Sequence, residues 1–288
     1  MTMPKRSVGD FAALKQQRQK IVMITAYDAP SARFADAAGI DAILVGDSAA
    51  MTVFGYEQTT TITLDDMLLL ARAARRGTTR AVLIADMPFG SVQVSDADTV
   101  ANAVRFVKDA GVDAVKIEGA GPMARRIAAV IDAGIPVVGH IGLTPQSANQ
   151  LGGYKAQGRT AAAATRLLDE AATLEHAGCV AIVLEAIPPQ VAAAITRALT
   201  IPTIGIGAGV DCDGQVLVWH DVLGLNADID GTVKVPKFVK RYADLGTEIV
   251  TAVRAYIADV QSGRFPEPRH TYSMPEEERE RFETTRRK

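Results

Sequence analysis

The stretch Ala42-Ile43-Leu44-Val45-Gly46-Asp47-Ser48 decides the fold, because the rest of the chain repeats its pattern. Its apolar residues are enough for a short, fully buried strand, and a carboxylate follows where that strand must end. Because a carboxylate faces an apolar core only at a large cost in desolvation energy, we expect Asp47 to face a cavity or a metal.

The same pattern, a short apolar run closed by a titratable residue, returns at Asp86, Glu118, His140 and Glu185. Together with the remaining apolar runs it predicts eight strands that alternate with helices, which is typical of a (β/α)8 TIM barrel. A doubly wound sheet would carry a glycine-rich loop after its first strand, where this chain has Thr25-Ala26-Tyr27. We therefore expect functional side chains at the C-terminal rim of a barrel.

Element boundaries follow from apolar runs and breakers. We predict an N-terminal helix over residues 7–19 at the bottom of the barrel and a helix over 64–76 ended by Gly77. We also predict a seventh strand over 201–204 that breaks into a glycine run, and a last helix over 238–261.

The barrel is assigned to residues 1–264. The charged tail, 265–288, is a solvated arm or an oligomer contact, with disorder as the alternative.

Composition excludes several classes of protein. The chain has 288 residues, a net charge of -2 and two cysteines without paired spacing. It offers no basic field for nucleic acid, no cysteine framework for zinc or disulfides, and no apolar run or leader that suggests a membrane or secreted protein. We expect a cytoplasmic protein that binds neither nucleic acid nor membrane.

Asp47 and Asp86 are hard oxygen ligands at two neighbouring strand ends, which suits Mg²⁺. Glu118 adds a third acid that could orient a metal-bound water. A single acid at a strand end is as often a helix N-cap, but three on consecutive strands favour a metal site. Without a His/Cys cluster, zinc is not expected.

Lys116 lies two residues before Glu118, so both side chains point to the same side of the strand. The lysine is either a structural ion pair or a cation that steadies an enolate oxygen. His140 is either a satisfied core histidine or, given its place at a strand end, a functional one. Glu185 lies away from Asp47 and is free to act as a general base.

Two glycine-rich segments remain open to interpretation. Residues 152–159 predict a mobile lid whose Lys155 and Arg159 meet an anionic partner, with an ordinary surface loop as the alternative. Residues 205–209 are either a phosphate-binding corner or a tight turn.

Seven stretches, taken together, resemble the ketopantoate hydroxymethyltransferase family from about residue 10 to residue 265. They are VGDS at 45–48, DMPFG at 86–90, VKIEG at 115–119, GHIGLTPQ at 139–146, GGYK at 152–155, LEAIP at 184–188 and IGIGAG at 204–209. Ala120 departs from the pattern, because a second glycine is expected there.

The resemblance implies a barrel of the phosphoenolpyruvate/pyruvate class and a homo-oligomer, a decamer in this family. It implies transfer of a hydroxymethyl group from 5,10-methylenetetrahydrofolate to 3-methyl-2-oxobutanoate through a Mg²⁺-stabilised enolate. The product is 2-dehydropantoate, on the route to pantothenate and coenzyme A.

The resemblance also implies roles for particular residues. Mg²⁺ would lie on Asp47 and Asp86 with Glu118 nearby, and Glu185 would remove the C3 proton. The 2-oxo acid would contact Asp47, Ser48, Asp86, Lys116 and His140.

Two other functions stay open. A metal-dependent lyase or aldolase of the same barrel class would act on a 2-oxo acid and would usually carry a reactive cysteine near the metal. Cys179 lies at the start of the sixth predicted strand, the wrong end for that role. A noncatalytic assembly protein would be expected to lack Asp47, Asp86 or Glu185, and all three are present.

Overall fold

Eight parallel strands close into a barrel in chain order, with the last strand paired to the first. The computed structural model describes residues 4–226 and 235–286. The strands are β1 Ile21–Thr25, β2 Ala42–Val45, β3 Val82–Asp86, β4 Ala114–Glu118, β5 Val137–Gly142, β6 Ala181–Glu185, β7 Thr203–Ile206 and β8 Gly214–Leu217. The predicted TIM barrel is confirmed.

Helices follow most strands and begin at side chains that cap them. Asp28, Thr63, Ser95 and Thr160 each accept a hydrogen bond from a backbone N–H of the first turn of the helix that follows. The helices are α1 Asp10–Gln16, α2 Ala29–Ala37, α3 Ala49–Thr52, α4 Leu64–Gly77, α5 Asp96–Ala110, α6 Pro122–Asp132, α7 Ala161–His176, α8 Pro189–Ala198, α9 Trp219–Leu223, α10 Leu245–Gln261 and α11 Glu276–Arg286.

The barrel interior is apolar at the bottom and polar at the top. Phe11 and Leu14 of α1 pack into one buried cluster with strand residues such as Val82 and Ile84, so the N-terminal helix closes the bottom as predicted. Because side chains alternate along a strand, the next inward position of β3 is Asp86, at the rim. The strands thus carry their titratable residues to the end opposite α1.

Several predicted boundaries are wrong, for local reasons. The seventh strand extends to Ile206, because Gly205 lets Cys212 and Gln215 pack where a side chain would lie. Gly77 is the last residue of α4, at a point where a Cβ would clash with the Ala29 carbonyl of α2. Glycine here allows close helix packing.

The last long helix begins at Leu245, seven residues later than predicted. The segment before it packs on the barrel: Phe238 adjoins the interior cluster, and the Tyr242 N–H donates to the Val222 carbonyl. In the tail, α11 is helical with exposed side chains, so the alternative of disorder is not what the structure describes. The domain boundary at residue 265 stays a prediction.

In the part of the chain that the structure describes, no helix combines the length and apolar character needed to cross a bilayer.

Asp36 of α2 ties that helix to the start of β3. Its carboxylate accepts hydrogen bonds from the backbone N–H groups of Thr79, Arg80 and Ala81, at 2.7 to 3.2 Å, and from the Thr79 hydroxyl at 2.6 Å. Burial alone would raise the pKa of Asp36, but these donors outweigh burial and lower the pKa below its usual value.

We predict that Asp36→Asn lowers the free energy of unfolding by about 1–3 kcal/mol at pH 7, because buried donors lose their charged acceptor. A lowered pKa in the folded state stabilises the protein above the unfolded-state pKa, and that contribution is lost as pH falls through the folded-state value. Urea unfolding at neutral and acid pH should therefore show the gap between wild type and variant shrinking in acid. Asp169→Asn, at an exposed carboxylate on α7, is the control. A gap that stays constant with pH would contradict the assignment.

Candidate active site

Strand register brings the predicted residues of the rim together. Asp86 at the end of β3 pairs with Lys116 of β4, and Glu118 of β4 pairs with His140 of β5. Glu185 ends the next strand, β6. Asp86, Lys116, Glu118 and His140 are buried, and Glu185 is partly exposed. The structure therefore gathers into one cluster side chains that lie up to a hundred positions apart in the sequence.

Asp47 and Asp86 form the acidic side of the cluster. The Asp47 N–H donates to Asp86 Oδ2 at 3.0 Å, so the backbone of one acid fixes the carboxylate of the other. Burial, followed by the charges of Asp86 and Glu118, raises the pKa of Asp47 well above its usual value against the opposing effect of Lys116. Burial also raises the pKa of Asp86, although Lys116 opposes it. The ionised forms of these two buried acids are therefore disfavoured as long as no further cation joins them.

Lys116 supplies positive charge between the acids. Its Nζ lies 3.1 Å from Asp86 Oδ1, 3.7 Å from Glu118 Oε1 and 3.2 Å from His140 Nδ1. Burial would lower the pKa of Lys116, but Asp86, Glu118 and Asp47 outweigh burial and raise it, so the ammonium stays charged.

His140 joins the cluster to Glu185. Its Nδ1 lies 3.3 Å from Glu118 Oε1, and its Nε2 lies 3.2 Å from Glu185 Oε2. Burial and Lys116 lower the pKa of His140, but Glu118 and Glu185 outweigh them and raise it to about 9. His140 is thus tied to three charged side chains and is not an isolated core histidine.

Gln146 is a site residue that sequence reasoning missed, although it lies in a family motif. Its Nε2 donates to Asp47 Oδ2 at 2.9 Å and to the Met87 carbonyl at 3.0 Å, and its backbone N–H donates to Glu118 Oε2 at 3.0 Å. The side chain is buried in a short 3₁₀ turn after β5. No periodicity points to it; its place at the end of the stretch GHIGLTPQ, 139–146, is the signal that the sequence offers.

Ser48 and the predicted lid lie at the edges of the cluster. A Cβ placed on Gly46 would come within 2.8 Å of Ser48 Oγ and 3.6 Å of Asp86 Oδ2, so the glycine leaves space between these two groups. Lys155 and Arg159 are exposed and stand outside the cluster. The residue beside them, Tyr154, is close enough to the acids for Asp47, Glu118 and Glu185 to raise its pKa, after burial.

The cluster fits a divalent cation. Buried atoms Asp86 Oδ1, Glu118 Oε1 and His140 Nε2 have no well-aligned hydrogen-bond partner among the residues that the structure describes. With Asp47 ionised, as a bound cation would keep it, four carboxylates face one ammonium and one imidazolium, and two negative charges remain. In the described ranges, no three His, Cys, Asp or Glu side chains are placed to hold a metal together, so Glu118 is not placed as a third ligand beside Asp47 and Asp86. Two carboxylates are a donor set that Mg²⁺ commonly uses.

Cys179 is not a reactive thiol. It is 2% exposed, and burial raises its pKa to about 12, so almost no thiolate forms at neutral pH. The residue precedes β6, at the end of the strand away from Glu185. The reactive cysteine expected of a lyase is therefore not supplied by this residue.

Comparison with known proteins finds one family and many relatives. The family model described as Ketopantoate hydroxymethyltransferase matches residues 5–268. The chain is 51% identical over 280 residues to the 3-methyl-2-oxobutanoate hydroxymethyltransferase of Carboxydothermus hydrogenoformans, covering 97% of this chain and 100% of that one. It is 52% identical over 269 residues to the enzyme of the same name from Geobacillus kaustophilus, covering 93% of this chain and 95% of that one.

Solved structures share the fold at low sequence identity. A phosphoenolpyruvate phosphomutase from Streptomyces platensis subsp. rosaceus aligns with a TM-score of 0.59 at 16% identity, covering 90% of this chain and 88% of that one. A phosphonopyruvate hydrolase in complex with oxalate and Mg²⁺ aligns with a TM-score of 0.58 at 14% identity, covering 98% of this chain and 97% of that one. At these identities the likenesses show a shared barrel fold and no more.

Proposed function

This chain belongs to the ketopantoate hydroxymethyltransferase family, and from that premise we propose that it makes 2-dehydropantoate. The reaction joins 3-methyl-2-oxobutanoate, 5,10-methylenetetrahydrofolate and water to give 2-dehydropantoate and tetrahydrofolate, on the route to pantothenate and coenzyme A. The observation that carries the proposal is the buried rim cluster, in which paired acids stand beside a carboxylate left free for proton transfer.

We propose that Asp47 and Asp86 hold Mg²⁺. Glu118 contacts Lys116 and Gln146, which in turn contact the two aspartates, so that it acts on the metal indirectly. When bound, the cation would stabilise negative charge on the oxygens of the 2-oxo acid, by several kcal/mol in metal sites generally. Lys116 keeps Asp86 in place at 3.1 Å, and Gln146 keeps Asp47 in place at 2.9 Å. Both acids are thereby held ready to bind, which limits the reorganisation that binding requires.

Asp47→Asn and Asp86→Asn should each abolish activity and metal-dependent binding of the 2-oxo acid while leaving the circular dichroism spectrum unchanged. Because the protein supplies few of the six ligands of Mg²⁺, we expect weak metal binding without the acid. Titration calorimetry with both ligands measures the loss, and Asp211→Asn, at an exposed carboxylate, is the matched control. Normal affinity for the acid in both variants would refute this site.

We propose that Glu185 is the base that removes the C3 proton. The other three carboxylates are held by Lys116, Gln146 or each other, whereas among the described residues the Glu185 carboxylate contacts His140 alone, at 3.2 Å, and is partly exposed. Loss of the C3 proton leaves an enolate, whose carbon attacks the methylene group of the folate. His140, by holding one oxygen of Glu185, orients the other toward the substrate.

Glu185→Gln should bind Mg²⁺ and the 2-oxo acid nearly normally but exchange the C3 proton with D₂O about 10²-fold or more slowly, since an amide cannot accept the proton. Proton NMR without folate measures the exchange, so enolisation is separated from carbon–carbon bond formation. Glu248→Gln, at an exposed residue of α10, should exchange at the wild-type rate. Wild-type exchange in Glu185→Gln would make another group the base, with His140 the first to test.

We propose that Lys155 and Arg159 meet the anionic tail of the folate. Support comes from their exposure and from positive φ angles of 72° and 104° at Gly152 and Gly153, which allow the loop to turn toward the rim beside Tyr154. The backbone N–H of Gln157 donates to the Ala186 carbonyl, so the far end of the loop is anchored next to Glu185.

Replacing Lys155 and Arg159 by Gln should raise KM for the folate and leave KM for the 2-oxo acid unchanged, because only the folate would lose a charged partner. Steady-state kinetics with each substrate varied in turn gives the comparison. The control is Arg166→Gln, which removes an exposed cation on the neighbouring helix α7. An equal effect on both substrates would mean that the loop only closes the site.

We also propose that the protein is a cytoplasmic homo-oligomer, a decamer by family resemblance. The support for assembly is α10, which exposes Ile249, Val253, Tyr256, Ile257 and Val260, an apolar surface that a second copy would cover. The support for a reducing compartment is that both cysteines are buried free thiols.

A further inference from the structure

A chain of hydroxyl groups lies behind Ser48, outside the charged cluster. The backbone N–H of Trp219, at the start of α9, donates to Thr25 Oγ1 at 2.9 Å. The Thr25 hydroxyl donates to the Tyr27 hydroxyl at 2.8 Å, and the Tyr27 hydroxyl lies 2.9 Å from Ser48 Oγ. Thr25 and Tyr27 are each 3% exposed, so water does not compete for these bonds. The proposed mechanism has no use for Thr25, Tyr27 or Trp219.

The first two hydrogen bonds of this chain have a fixed direction, and we assign the direction of the third from them. A backbone N–H can only donate, so Thr25 Oγ1 accepts there, and the Thr25 hydroxyl donates to the Tyr27 oxygen. Tyr27 then directs its own hydrogen to Ser48 Oγ. Ser48 is left as an acceptor on this side, with its hydrogen free.

Tyr27 keeps its proton throughout the working pH range. Burial raises the pKa of Tyr27 to about 12, although the hydroxyls of Ser48, Thr25 and Thr52 oppose this. Thr52 does not redirect the chain, because its hydroxyl donates to the Ser48 carbonyl at 3.1 Å. Tyr27 is therefore a donor to Ser48 at any pH where the protein acts.

The free hydrogen of Ser48 borders the space beside Asp86. Among the described residues, Ser48 Oγ makes no hydrogen bond besides that with Tyr27. A Cβ placed on Gly46 would lie 2.8 Å from Ser48 Oγ and 3.6 Å from Asp86 Oδ2, so both groups border the gap left by the missing side chain of this glycine. A group entering that gap meets a hydroxyl whose hydrogen is free to be donated to it.

We propose that Tyr27, held by Thr25, is a positioning residue that fixes Ser48 as a hydrogen-bond donor to an acceptor oxygen of the 2-oxo acid. The inference rests on the proposed function, because it requires the acid to bind beside Asp86 and Ser48. Carboxylate and keto oxygens can only accept hydrogen bonds, so a serine with fixed polarity suits them. Without Tyr27 the Ser48 hydroxyl turns freely, and part of the binding energy is lost to ordering it.

The test is a double-mutant cycle on binding of 3-methyl-2-oxobutanoate with Mg²⁺, measured by calorimetry on the full-length protein. Tyr27→Phe should weaken binding by up to about 10-fold, since Ser48 then loses its fixed orientation, and the hydrogen bond from Ser48 to a charged oxygen is typically worth a factor of that order. Ser48→Ala should weaken it at least as much. In the Ser48→Ala background, Tyr27→Phe should have less than about a 2-fold effect, because two residues that act as a unit are not additive.

Two further variants keep the inference testable if Tyr27→Phe folds poorly. Thr25→Val removes the donor that polarises Tyr27 and should weaken binding, whereas Thr25→Ser keeps that donor and should restore it. Tyr242→Phe, at an exposed ring outside α10, should bind as wild type does.

Independent effects of Tyr27→Phe and Ser48→Ala, whose fold-changes multiply, would overturn the inference, as would equal binding by Thr25→Val and Thr25→Ser. Either result leaves the proposed function intact, provided that the wild-type protein binds the acid and exchanges its C3 proton. If the wild-type protein does neither, the proposed function fails and the inference fails with it.

Discussion

Buried negative charge at the C-terminal rim is the constraint on which the rest of the site depends. Asp47, Asp86, Glu118 and Glu185 meet there with one ammonium and one imidazolium, and burial raises the pKa of both aspartates. A protein retains such a cluster against its desolvation cost when a cation or substrate completes it. The apolar lower barrel, closed by α1, holds the rim strands in register so that these charges cannot move apart.

The cluster divides into parts with different chemical roles. Lys116 and Gln146 hold the two aspartates, and each carboxylate oxygen has a second lone pair that a divalent cation could use. His140 separates Glu185 from that acidic pair, which suits the proposed role of Glu185 as the base. One continuous network thus keeps the proposed metal site and the proposed proton acceptor apart, and a 2-oxo acid would need both to lose its C3 proton.

Much of the fold and of the site could be predicted from the sequence, because parallel strands carry their last residues to one rim. Asp86 and Glu118 were predicted by that rule, and Lys116 by its position two residues before Glu118. His140 was predicted as the end of β5, which in fact continues to Gly142. Gln146 was not predicted, since its bond to Asp47 crosses 99 positions of chain and depends on the path of a loop. The predicted start of α10 was wrong for a similar reason. Phe238 and its neighbours make tertiary contacts with the barrel instead of forming the helical turns that their sequence allows.

The most direct measurement is a crystal structure with 3-methyl-2-oxobutanoate and Mn²⁺, whose anomalous signal locates the metal. The account predicts an anomalous peak at the carboxylates of Asp47 and Asp86, at about the 2.0–2.2 Å expected of a small hard cation. It also predicts that C3 of the acid faces Glu185. A metal bound elsewhere, or a C3 atom turned away from Glu185, would contradict it.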